Sequence, residues 1–106
     1  MSMRRFEIGF DEKAVNDDGI YKIDKLYYTI DEVMKMAGIN KITEGTYECI
    51  GNEEEVQRKF DIMFFLFCSE KWFLKYVNKW LAYHNNYEPE NIIEIMEKVN
   101  KQYEDW

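Results

Sequence analysis

Apolar and polar positions alternate along Met3–Phe10, with Phe6, Ile8 and Phe10 on one side and Arg5, Glu7 and Gly9 on the other. This period of two predicts a half-buried strand. Asp11–Gly19 has little apolar content and ends in Asp17-Asp18-Gly19, which predicts a loop, since short acidic side chains and glycine adopt turn geometry at low cost. Ile20–Tyr28, aromatic and branched around Asp24-Lys25, reads as one strand or a tight hairpin. Thr29 is placed to cap a helix over Ile30–Ala37: its hydroxyl can accept a first-turn N–H, and Asp31 and Glu32 stand at the positive end of the helix dipole. Gly38 ends that helix. Ile42–Ile50 contains Gly45 and then alternating Tyr47 and Cys49, predicting a short strand closed by Gly51.

The heaviest apolar stretch is Asn52 to Asn85. Val56, Phe60, Met63, Phe64 and Phe67, then Trp72, Phe73, Tyr76, Val77, Trp80 and Leu81, follow the i, i+3, i+4, i+7 rhythm of helices with one wide buried face. Asn52 followed by Glu53, Glu54 and Glu55 is a strong helix start. Ile62–Cys68 is apolar all round, which implies a helix covered on most sides, with a buried strand as the alternative. Ser69-Glu70 reads as a new cap or a kink, and the next helix is expected to end near Asn85-Asn86. Pro89 suits the first position of a final helix with the stripe Ile92, Ile95, Met96, Val99, Tyr103 and Trp106.

These elements predict an α+β fold: a small antiparallel sheet from the N-terminal half, packed against three C-terminal helices, with one helix between strands. At 106 residues, residues 1–106 are expected to form a single domain. The longest apolar run, Ile62–Cys68, is far shorter than the roughly 20 residues that cross a bilayer. No secretory leader is recognisable either, so a cytoplasmic protein, in a bacterial or host-cell cytosol, is expected.

Charge narrows the partners. The net charge of −7 is spread evenly, −3 over residues 1–51 and −4 over 52–106. Such a surface disfavours direct contact with nucleic acid or an anionic membrane, both of which are bound largely through cationic side chains. Cys49 and Cys68 stand outside any metal-type or CxxC spacing and read as reduced, packed thiols.

Candidate chemistry is sparse. The single histidine, His84, has no recognisable nucleophile partner and reads as a surface or cap residue. Glu53, Glu54 and Glu55 are consecutive, so on a helix they diverge and cannot converge on one cation. No phosphate-cradling glycine loop and no HExxH or GxSxG pattern occurs. No catalytic residues, metal site or cofactor are therefore expected. Thr29–Asn40, TIDEVMKMAGIN, resembles the start of a helix-turn-helix of the excisionase type, which implies a DNA-binding regulator using residues 29–50. It departs from that pattern at Met34, at Gly45 where the second helix should run, and in having only Lys41 as a base between Asn40 and Ile50.

Lys71, Lys75 and Lys79 fall four residues apart and would line one helix face, while Glu90, Glu94 and Glu97 would form a matching row on the last helix. The rows either pair with each other or orient a partner. Eight tyrosines and three tryptophans exceed what so small a core can bury, so some aromatic side chains must reach the surface among the carboxylates. The leading expectation is a non-catalytic, acidic protein-binding module. It would act as a stoichiometric inhibitor of a protein with a basic surface, the class of phage anti-defence (anti-CRISPR-like) and toxin-immunity proteins. Its binding residues are expected to be Glu53, Glu54, Glu55, Asp31, Glu32, Tyr87 and Trp106. The alternatives are the DNA-binding regulator and a small subunit of a larger assembly, a second copy of the chain included.

Overall fold

The computed structural model describes the backbone of residues 1–104 and the side chains of residues 1–98, so Trp106 and the side chains of Val99 and Tyr103 lie outside the described residues. The expected α+β architecture is present as one five-stranded antiparallel sheet with helices packed on it.

Strand β1 (Ser2–Phe10) forms as its alternation predicts, with Phe6, Ile8 and Phe10 buried. The next segment is not a loop but helix α1 (Glu12–Asp18): Asp11 accepts the Ala14 N–H at 3.1 Å, and Gly19 closes it with φ 66°. Short acidic residues and glycine serve helix ends as readily as turns, and the fully buried Val15 decides between them. Nor is Ile20–Tyr28 a strand. Helix α2 (Ile23–Ala37) starts ahead of Thr29, because Leu26, Ile30, Met34 and Ala37 give one continuous buried stripe. Thr29 is thus mid-helix, and its hydroxyl donates to the Lys25 carbonyl at 2.8 Å instead of capping. Gly38 ends α2 as expected.

A hairpin follows, β2 (Asn40–Thr43) and β3 (Thr46–Gly51), where one strand was expected. Gly45 makes its turn with φ 81°, and its carbonyl accepts the Ile8 N–H at 2.8 Å. A Cβ at Gly45 would lie 2.6 Å from the Ile8 carbonyl oxygen. Gly45→Ala should therefore combine left-handed strain with a backbone clash and cost about 2 to 3 kcal/mol of stability, read from a urea melt.

Helix α3 (Glu53–Cys68) begins where its cap predicts, with Asn52 accepting the Glu55 N–H at 2.8 Å. Ser69 ends α3, its hydroxyl donating back to the Leu66 carbonyl at 2.7 Å. The expected long aromatic helix is only the six-residue α4 (Lys71–Tyr76), after which β4 (Val77–His84) runs beside β1. There Trp80 and Ala82 are buried while Lys79 and Leu81, between and beside them, face away. A two-residue strand β5 (Glu90–Asn91) precedes helix α5 (Ile92–Glu104). Pro89 therefore stands ahead of β5, and it is Asn91 that caps the helix, accepting the Ile93 N–H at 3.1 Å.

The strand order is β2-β3-β1-β4-β5, so the sheet draws β4 and β5 from the C-terminal half and is not confined to the N-terminal half. Helices α2 and α3 pack on the sheet and on each other. The inner face presents Phe6, Ile8, Tyr47, Cys49, Trp80 and Ala82, all buried. Polar positions meet on the opposite face: Arg5 pairs with Glu48 at 3.0 Å, and Glu7 receives both Lys79 at 3.1 Å and the Tyr83 hydroxyl at 3.3 Å. The expected lysine row is broken, since Lys79 lies on a strand and Lys75 pairs with Asp18 at 2.9 Å. The matching acidic row is split too, with Glu90 in β5 and Glu94 and Glu97 on α5.

Candidate partner-binding surface

The carboxylates expected to act together lie in two separate places. Glu53, first residue of α3, accepts hydrogen bonds from the Ser2 hydroxyl and, at 2.9 Å, from His84 Nε2. These two contacts, the Ser2 bond first, hold its carboxyl below the ordinary carboxylate range. The Tyr87 ring, exposed, sits 5.8 Å from the His84 imidazole. Ser2, Glu53 and His84 do not form a nucleophile relay, because the serine and the histidine both bond the same carboxylate oxygen and not each other. They tie the ends of β1 and β4 to the start of α3. Beside them Glu54 and Glu55 are exposed, Glu55 lining an open cleft of about 460 Å³ with Gly51 and Asn52.

Asp31 stands elsewhere, on α2 beside Tyr47, which lies four residues before Gly51 on β3. It accepts from the hydroxyl of the fully buried Tyr47 and pairs with Lys41 at 2.9 Å. Burial, then the Asp31 bond, pushes the Tyr47 phenol up. Tyr47 and Gly51 are about 13 Å apart along the strand at the usual rise, so Asp31 and Glu53 serve different ends of the sheet. Asp31 is a structural anchor under Tyr47, whereas Glu32, next to it, is exposed.

Asp18 repeats the pattern of Glu53: the Tyr76 hydroxyl donates to it at 2.7 Å, and that bond, then Lys75, lowers its pKa. For both carboxyls the folded value lies below the unfolded one, so their contribution is present above the ordinary carboxylate range and is lost as pH falls through the depressed folded values. The melting temperature should hold down to about pH 5 and fall below it. The Ser2→Ala, Tyr76→Phe double variant should show a shallower acid limb in a thermal melt series.

The surface that periodicity did not reveal lies on α2 and α3. Ile62–Cys68 is helical, but it is not covered on most sides: Met63 and Phe67 are buried, whereas Phe65 is 72% exposed and Ile62 40%. On α2, Tyr28 is 65% and Met36 74% exposed. The end of α2 lies beside the first half of α3, where a Cβ on Gly38 would come within 3.2 Å of Lys59 Cε, and its first turns share a cavity with Trp72, just beyond α3. The two helices are therefore antiparallel. Their solvent sides carry Tyr28, Met36, Ile62 and Phe65 among the exposed charges Glu32, Lys35, Glu54, Arg58 and Asp61. The signal was in the sequence: seven consecutive apolar residues exceed the stripe that a helix on a sheet can bury.

Cys49 is buried and Cys68 half-buried; both are free, and burial pushes both thiols up. Among the described residues no group of three or more His, Cys, Asp or Glu side chains could hold a metal ion, and no helix is long and apolar enough to cross a membrane. After Gly38 the chain forms the β2–β3 hairpin, so the excisionase-like segment lacks a second helix to enter a groove. No model of a known protein family matches the chain, and no curated protein matches it.

Proposed function

We propose that this protein is a non-catalytic protein-binding module of the stoichiometric-inhibitor kind, acting in the cytosol on a partner with a basic surface. One observation carries the reading: large apolar side chains of two antiparallel helices, Phe65 foremost, stand in solvent amid carboxylates. Large apolar side chains exposed among charges are the composition of an interface, with aromatic residues as anchors and rim charges as guides. The net charge of −7 draws a cationic partner and raises the rate of encounter. Of the acidic residues, Glu32, Glu54 and Asp61 are on the helices that carry this face, while Asp31 and Glu53 are engaged within the fold.

A pull-down from native cytosol followed by mass spectrometry identifies the partner, and association and dissociation rates across a salt series test the mechanism. Reversing Glu32, Glu54 and Asp61 together to lysine should slow association by about tenfold at low salt and leave dissociation little changed. Binding indifferent both to salt and to this reversal would replace the basic partner with an apolar subunit or a second copy of the chain.

A further inference from the structure

A cavity of about 530 Å³, separate from the helical face just described, opens between the first turns of α2 and α4. Its walls are Ile20, Tyr21, Leu26 and Trp72, with Lys22, Lys25 and Thr29 at its edge. Leu26 is buried and forms the floor, while Tyr21 is 40% exposed. Trp72 is held in place: its indole N–H donates to Glu70 at 3.1 Å, and its ring packs on Phe10 and Phe73 at 6.1 and 5.9 Å. Tyr21 lies 6.5 Å from Trp72 and 6.2 Å from Tyr76, so two flat aromatic walls meet over an aliphatic floor. A planar ring is the shape such walls take up, and the volume falls in the usual range for small-molecule pockets.

The charge at this cavity is opposite to that of the protein. The lining holds two lysines and no carboxylate, and among the described residues Lys22 and Lys25, like Lys13, Lys35 and Lys71 but unlike Arg5, Lys41, Lys75 and Lys79, form no ion pair. Lys22, the N-cap residue of α2, and Lys25, in its first turn, both line the cavity and bring two ammonium groups to it. An aromatic slot edged by two unpaired cations, on a chain of net charge −7, is complementary to a flat apolar body bearing an anion. We propose that this cavity is a binding site for a small aromatic carboxylate, the ring lying against Tyr21 and Trp72 and the carboxylate held by Lys22 and Lys25.

The test is a titration of the intact protein with 2-naphthoate, followed by the indole N–H resonance of Trp72 and by calorimetry. A saturable shift with a Kd on the order of 1 mM or tighter is expected. The neutral 2-naphthylmethanol and the ringless acetate should each bind at least about tenfold more weakly, since each keeps half of the recognition. Lys22→Gln with Lys25→Gln should weaken 2-naphthoate by about tenfold without altering the circular dichroism spectrum, and Tyr21→Ala should weaken it by a route the alcohol shares. Equal binding of alcohol and carboxylate, shifts centred on Tyr28 and Phe65, or no saturable shift at millimolar probe would each overturn the assignment.

Discussion

Trp80→Ala should lower the free energy of unfolding by about 3 to 5 kcal/mol, much of what a domain of this size possesses. Trp80 is fully buried on β4, where it pairs with Ile8 of the central strand. Three aromatic rings surround it: Phe64 stacked at 5.7 Å, Phe67 edge-on at 5.7 Å and Phe73 edge-on at 5.0 Å. Deleting the indole leaves a void bounded by rigid rings from α3 and α4, which cannot collapse into it because each is packed elsewhere. Trp80→Phe is the informative companion. Its indole N–H has no acceptor among the described residues, so phenylalanine removes an unsatisfied buried donor along with some packing, and should cost less than half as much. Urea melts followed by far-ultraviolet circular dichroism measure both. A loss under about 1 kcal/mol for Trp80→Ala would place residues 77–84 outside the core and overturn the strand assignment.

That strand is also where the amino-acid sequence was most ambiguous. Tyr76, Val77, Trp80 and Leu81 satisfy a helical period, and Trp80 with Ala82 satisfies the period of a strand. The arbiter is β1, more than sixty residues away, whose second edge needs hydrogen-bond partners. Local chemistry served well where it had one meaning: Asn52 with three following glutamates started a helix. It misled where one residue serves two geometries, as with Asp11 and Gly19, which bound a helix, and Thr29, which bonds a carbonyl within one. The candidate site divided in the same way. That Glu53 and Asp31 would be drawn into the fold depends on Ser2, His84 and Tyr47, none of them a sequence neighbour, so charge pattern alone could not separate these two from Glu54 and Glu32.

Phe65 and Phe67 offer the sharpest test of the proposed surface, being the same side chain two positions apart on one helix. Phe67 is fully buried and stacks on Phe73 at 4.3 Å; Phe65 is 72% exposed. Phe67→Ala should cost about 3 to 5 kcal/mol of stability. Phe65→Ala should change stability by no more than about 0.5 kcal/mol, as surface replacements do, and so leaves a folded protein in which binding can be measured. If Phe65 is a central anchor, its removal should weaken the partner complex by about 2 kcal/mol or more, roughly thirtyfold, almost wholly as faster dissociation. Ile62→Ala should act in the same direction to a smaller extent, since it is already partly covered. Combining Phe65→Ala with reversal of Glu32, Glu54 and Asp61 separates the two roles, because the anchor sets the off-rate and the charges set the on-rate. Unchanged affinity in Phe65→Ala would move the interface away from α2 and α3. A stability loss as large as that of Phe67→Ala would instead mean that Phe65 is covered in solution, and light scattering would then show whether a second copy covers it.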